Sequence, residues 1–312
     1  MSIHFGQDPT PPPRTIESLL GPGLTSAMDG LEVISRKMLS GVLHGERQSR
    51  RRGSSIDFAD HRPYVAGDDL RFVDWNVYAR LDALFLKLYL DEEDLSVQIL
   101  VDATPSMDWG APSKWVYAKR LAMAIGSIAL ASRHRVSVAA FGGPRLSWAR
   151  DLRGRSRTGE LGRWLLELQI ATEGVHSLME ATQAVAPTRR GRGVVVFISD
   201  FLEEADPLPA LHVLSGRGDD VHCVQVLSPQ EHDPMTSGLS GDLQLVDAEG
   251  GGRREVTVTP SLIKAYLSRL GMRIERLSDA ARRCGASHAL VSTDMPVETV
   301  LLSQLRRGGL LK

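Results

Sequence analysis

The sequence predicts an α/β fold, a doubly wound and mostly parallel sheet with a small β-rich module on its N-terminal side. Three observations carry that prediction. From Leu95 onward short apolar strands alternate with amphipathic helices, the pattern of βα units covered on both faces. Two of those strands, Val97–Val101 and Val194–Ser199, are near-continuous apolar runs that meet an acid at their ends, Asp102 and Asp200. Ahead of Leu95, the stretch from Ser54 to Leu90 mixes aromatics, Asp, Arg and Gly without a helical period, as short strands and turns do.

Each element follows in order. Residues 1–44 read as a tail and leading helix. Pro9, Pro11, Pro12 and Pro13 mark a flexible or polyproline start. From Ile16 to Leu43 apolar residues recur at helical spacing (Leu19, Leu24, Met28, Leu31, Met38), interrupted by Gly21-Pro22-Gly23. Residues 45–94 form an Arg/Asp-rich β module opened by the basic run Arg50-Arg51-Arg52. Residues 95–312 form the α/β domain with a C-terminal extension. Its first strand is followed by a Pro/Gly turn and a helix from Ser113 to His134, whose stripe Ala118, Leu121, Ala122, Ile125, Ile128 and Ala129 faces the core. A strand is expected at Arg135–Phe141, a hairpin arm at Arg145–Ala149, and helices at Gly159–Leu168 and Leu178–Val185. After the strand at Val194–Ser199 come a helix at Leu208–Leu214 and a strand at Val221–Leu227. A short β element (Leu243–Val246, Glu255–Val258), a helix from Pro260 to Gly285, a strand at His288–Ser292 and a final helix complete the chain.

Composition narrows the function. The 312 residues carry 37 Lys+Arg against 38 Asp+Glu, a formal net charge of −1. That leaves no cationic surplus to displace condensed counterions, which argues against a nucleic-acid partner. The two cysteines, Cys223 and Cys284, form no CxxC and no disulfide framework, the usage of a reducing compartment. The N-terminus lacks the apolar core of a signal peptide, and the run Leu121–Ala131 is too short to span a bilayer. The expectation is a cytoplasmic protein without an integral membrane segment.

In an open parallel sheet ligands collect at the C-terminal strand ends, near the point where strand order reverses. Asp102 and Asp200 are both at that edge, and the loop Asp102-Ala103-Thr104-Pro105-Ser106 puts Thr104 and Ser106 beside Asp102. A carboxylate and two hydroxyls that converge suit Mg²⁺ or Mn²⁺, which prefer oxygen ligands.

Asp-x-Thr-x-Ser after the first strand resembles the metal-ion-dependent adhesion site of von Willebrand factor A domains, a Rossmann-like fold. Asp57-Phe58, Arg62-Pro63-Tyr64, Gly67-Asp68-Asp69-x-Arg71, Asp74-Trp75, Ala79-Arg80, Lys87-x-Tyr89 and Glu92 then occur in the order typical of the DUF58 family, followed by Ile198-Ser199-Asp200-Phe201. The resemblance covers residues 45–312. It implies a von Willebrand A-like domain whose metal site binds a partner carboxylate, in a family often paired with MoxR-type AAA+ ATPases. Asp102, Thr104, Ser106 and Asp200 match its site positions, the hydroxyls ligating directly and the acids often through water. A further ligand, normally threonine, falls in the loop Gly174-Val175-His176-Ser177-Leu178, where His176 takes the threonine's place. Imidazole is a poor partner for Mg²⁺ and a better one for Zn²⁺ or Ni²⁺.

Other candidates have plainer readings. Arg50–Arg52 is a solvated surface run, and Asp91-Glu92-Glu93-Asp94 a solubilising strand edge. Arg62, Tyr64, Asp68, Asp69, Arg71, Asp74, Trp75 and Arg80 make a structural network of Arg–Asp pairs around an aromatic, dense enough to leave a partner-facing role open. HExxH, P-loop, nucleophile-elbow and Rossmann glycine motifs are absent from the sequence. The expectation is a non-catalytic interaction adaptor that works with a MoxR-type ATPase on a client protein. The alternative is a metal-dependent hydrolase acting on a phosphate ester, which would need a base or second metal beside the ion.

Overall fold

The computed structural model describes residues 12–21, 23–37, 58–89, 95–171, 177–188, 193–234, 241–246 and 252–312. His176, the Arg50–Arg52 run and the acidic run 91–94 lie outside the described residues. The chain divides into two compact units, residues 1–44 with 95–312, and residues 45–94.

The larger unit is built on a six-stranded sheet of β3 (Ser96–Asp102), β4 (Arg135–Phe141), β5 (Ser147–Arg153), β6 (Gly193–Ser199), β7 (Asp220–Leu227) and β10 (Ser287–Ser292). The spatial order is β10-β7-β6-β3-β4-β5, all parallel except β5, which pairs antiparallel with β4. The chain starts in the middle at β3, moves outward through β4 and β5, then returns to the other side of β3 with β6. The reversal therefore falls between β3 and β6, the doubly wound arrangement predicted above.

Alternate residues of each strand feed two cores, which explains the continuous apolar runs. Val97, Ile99 and Val101 of β3 and Val194, Val196 and Ile198 of β6 pack on one face with α4 (Lys114–Ala131). Leu100, Val195 and Phe197 pack on the other with α6 (Leu178–Val185), α7 (Leu208–Gly216) and the end of α9 (Pro260–Arg283). The helix α5 (Thr158–Glu167) joins the first face through Leu161 and Leu165. A ribbon of β8 (Gly241–Val246) and β9 (Arg253–Val258) precedes α9.

The stripe expected on α4 is buried, and so is most of the rest of that helix. A helix buried nearly all round needs a second cover. Part of it comes from the leading segment, which forms two short helices, α1 (Ile16–Leu20) and α2 (Leu24–Met28), with Leu19 and Leu24 fully buried. Of the stretch read as helical from Ile16 to Leu43, α2 ends at Met28 and residues 36–37 are again helical, while residues 38–43 lie outside the described residues. Beyond Gly30, which adopts φ +80°, Val33 bridges to Leu311, so the apolar spacing there serves pairing with the C-terminus instead of a helix turn.

The smaller unit contains β1 (Phe58–Pro63) paired antiparallel with β2 (Phe85–Tyr89), and between them a helix, α3 (Trp75–Leu81). The strands-and-turns reading missed α3. Seven residues are too few to display a period, and Trp75, Tyr78 and Leu81 at helical spacing are exposed, so no buried stripe announces it. Asp74 starts the helix by accepting from the amides of Asn76 and Val77 at 2.9 and 3.3 Å.

Candidate functional site

The doubly wound order brings the ends of β3 and β6 side by side, and with them Asp102, Ser199 and Asp200. Asp102 is buried, with its Oδ1 accepting from the Thr104 amide at 2.9 Å and the Thr104 hydroxyl at 2.7 Å. The Thr104 and Ser106 hydroxyls are 2.9 Å apart. The second carboxylate oxygen of Asp102 accepts from Ser199 Oγ at 2.5 Å, and Ser199 Oγ in turn accepts from the Phe201 amide. Of the predicted donors, Asp102, Thr104 and Ser106 are therefore directly linked, and Asp200 lies across from them at the end of the neighbouring strand.

The loop holding these groups is braced by backbone. The Ala103 amide donates to Phe141 O and the Ala171 amide to Ala103 O, both at 2.8 Å. Gly142 follows β4 with φ +114°, and a Cβ there would lie 2.7 Å from the Thr104 nitrogen and 2.9 Å from the Ala103 carbonyl carbon. Only glycine lets the two loops approach so closely.

A lysine completes the site. Lys114, at the start of α4, is 1% exposed, and its Nζ donates to Asp200 Oδ2 at 2.8 Å and to Glu231 Oε1 at 2.6 Å. Glu231 belongs to α8 (Pro229–His232), and its other oxygen accepts from the amide and hydroxyl of Ser228 at 2.7 and 3.0 Å. The loop leading into α4 is clamped to α8 by Gln230, which accepts from the Ala111 amide at 3.2 Å and donates to Ala111 O at 2.9 Å.

Electrostatics divide the site. Burial first, and the charge of Asp200 second, push the Asp102 carboxyl up to about 7, against the hydrogen bonds from Ser199 and Thr104. Burial works to lower the Lys114 ammonium, but the charges of Asp200 and Glu231 outweigh it and hold the group above the ordinary lysine value.

Sequence reading missed Ser199, Lys114, Glu231 and Gly142. Lys114 did leave a signal: it lies four residues before Ala118 and seven before Leu121, a charge on an otherwise apolar stripe. Ser199 adjoins Asp200 in the quoted motif. Glu231 and Gly142 carried no local mark.

The residues present fit a hard divalent cation. Thr104, Ser106 and Asp102 offer linked oxygens beside a second acid, and a buried carboxylate with a raised pKa is a group that a cation would relieve. Among the described residues no cluster of three or more His, Cys, Asp or Glu is placed to hold a metal, so the hydroxyls would be indispensable donors.

In the smaller unit the predicted network forms as separate pairs. Arg62 makes a two-pronged bond to Asp68 at 2.7 and 2.8 Å, and Arg71 pairs with Asp69 at 2.6 Å. Asp74 accepts from α3 and lies 2.9 Å from His61 Nε2 and 3.5 Å from Lys87 Nζ. The His61 contact leads in holding Asp74 down to about 2. Trp75 is not the centre of these pairs. It is 59% exposed and stands edge-on to Tyr78. Tyr64 is half-buried, with its amide bonded to Leu84 O, and Arg80 is exposed on α3.

The profile of a family described as "Protein of unknown function DUF58" matches residues 60–276. Uncharacterized protein Rv1480 of Mycobacterium tuberculosis is 28% identical over 306 residues, covering 96% of this chain and 95% of the relative, and Mb1516 of Mycobacterium bovis gives the same values. Among solved structures, the conserved hypothetical protein BatB from Bacteroides thetaiotaomicron matches with a TM-score of 0.43 at 14% identity, over 68% of this chain and 98% of its own. The SpRpn10 VWA domain matches with a TM-score of 0.38 at 11% identity, over 67% and 94%. Among the described residues no helix is long and apolar enough to cross a membrane.

Proposed function

The chain belongs to the DUF58 family, and from that premise we propose that its strand-end site is a cation-dependent docking point for a carboxylate of a partner protein. The role is that of a non-catalytic adaptor that works with a MoxR-type AAA+ ATPase during assembly or maturation of a client. The observation that carries the reading is the convergence of Asp102, Thr104 and Ser106 beside Asp200 at the point where strand order reverses.

Asp102, Thr104, Ser106 and Asp200 would hold Mg²⁺ or Mn²⁺. The ion would supply an electrophilic coordination position that a partner carboxylate can fill. This chain's residues do the rest. Ser199 and the Thr104 amide aim the Asp102 carboxylate, while Gly142 and the Phe141 carbonyl fix the loop bearing both hydroxyls. Docking of this kind needs no base or nucleophile, only an open position and a complementary surface.

The test is binding of a purified MoxR-type ATPase from the same genome, measured with Mg²⁺ and with EDTA. Binding that needs Mg²⁺ and is lost in Asp102→Ala is expected. Equal binding in EDTA, or an unaffected Asp102→Ala, would overturn the reading. A phosphate-ester hydrolysis assay run alongside reports on the hydrolase alternative.

A further inference from the structure

Lys114 is sealed from any docking partner, because its side chain is 1% exposed. A buried ammonium that keeps its charge is costly without counter-charges, and Lys114 has two, Asp200 and Glu231. The four charged side chains here are Asp102, Asp200, Glu231 and Lys114, three negative when ionised and one positive. The positive charge is not shared evenly. It sits on Asp200 and Glu231, while Asp102 has only hydrogen-bond donors and is the group whose charge burial and Asp200 disfavour.

We infer that Lys114 is a tethered cation that competes with a divalent ion for Asp200, so that Lys114 and Glu231 together set the metal affinity of the site. The inference rests on the cation-site reading above. A divalent ion held by Asp102, Thr104 and Ser106 would draw on Asp200, whose Oδ2 already accepts from the ammonium. Glu231 decides how much of the ammonium Asp200 keeps. Its own position is firm: Ser228 holds its second oxygen, and Gly110, at φ +97°, lets the loop before α4 sit directly against Ser228, where a Cβ would come within 2.6 Å of the serine's. The opposition between metal and lysine is thus built into three strand-end loops, those after β3, β6 and β7.

The experiment is calorimetric titration of Mn²⁺ into the full chain and into the double variant Lys114→Met/Glu231→Gln. The double change removes one positive and one negative charge, so a general change of potential leaves the affinity near its starting value. Competition makes it at least tenfold tighter. An affinity within twofold of the wild type, or weaker, overturns the inference. Lys114→Gln/Glu231→Gln keeps a hydrogen-bond donor for Asp200 and serves if the first variant does not fold; it is expected to tighten binding by a smaller factor, and no tightening counts against the inference. In the unmodified chain, the Lys114 ammonium observed by ¹⁵N NMR must shift as Mg²⁺ saturates the site, and an unmoved resonance under saturation overturns it equally. Failure of the cation-site reading looks different. In that case Asp102→Ala leaves Mn²⁺ binding unchanged, whatever the Lys114 variants do.

Discussion

Asp102 at the end of β3 and Asp74 at the start of α3 are alike in their immediate bonding. Each is buried, and each accepts a hydrogen bond from the amide two residues further on. Their ionisation is nevertheless driven in opposite directions. Asp102 is pushed up to about 7 by burial and by the facing charge of Asp200, whereas Asp74, beside His61 and Lys87, is held down to about 2. Counting hydrogen bonds does not decide the charge of a carboxylate. What decides it is whether those bonds prevail: at Asp102 burial and the charge of Asp200 outweigh them, whereas at Asp74 the His61 bond, with the α3 amides and Lys87, outweighs burial. The same contrast separates the cation partners: Lys114 is sealed between two acids, while Arg71 meets Asp69 at the surface.

The largest expected effect tests that last contrast. Lys114→Met alone leaves Asp200 and Glu231 buried without their counter-charge and should cost about 3–5 kcal/mol, read by chemical denaturation. Arg71→Ala, at an exposed pair, should leave the unfolding midpoint unmoved. Equal shifts would mean that burial is not what distinguishes the two. Next in size, Gly142→Ala forces an L-residue to positive φ against the Thr104 and Ala103 backbone. A loss of about 1–3 kcal/mol is expected, with weaker Mn²⁺ binding because the donor loop must move.

Asp102 and Asp74 themselves should give slopes of opposite sign in stability against pH. Asp102 holds its proton in the folded state up to about 7, where an unfolded aspartate loses it near 3.8. In divalent-free buffer its contribution therefore makes stability fall as pH rises through that window. Asp102→Asn removes that slope, and the variant should melt higher than wild type at pH 8 and equally at low pH. A wild-type midpoint that is higher at pH 8 would refute the account of Asp102. Asp74 contributes stability that is present above 3.8 and lost as pH falls towards 2. Asp74→Ala should thus produce the smallest change, faster amide exchange confined to α3 at neutral pH, a difference from wild type that shrinks in acid.

Much of the architecture was legible because the physical signal was local. A strand covered on both faces must be apolar at every position, so β6 announced itself, and strands that finish in acid marked the sheet edge where polar groups can gather. Arg135–Phe141 and Leu178–Val185 have the bounds read from the pattern. The helix α3 was hidden for the opposite reason: it is seven residues long and turns its aromatics to solvent, so neither length nor a buried face betrays it.

The sequence by itself determined that the larger unit is an α/β sheet, and that Asp102, Thr104 and Ser106 share one loop, because periodicity and a three-position motif act over a few residues. Only the tertiary structure decided what surrounds them. Lys114 meets Glu231 across 117 positions of chain, and Asp102 meets Ser199 across 97. Those pairings exist because the sheet reverses its order between β3 and β6 and draws the loops after β3, β6 and β7 to one edge. That placement puts Lys114 against Asp200 and Glu231, and desolvation with the charge of Asp200 then leaves Asp102 as the carboxylate that holds a proton.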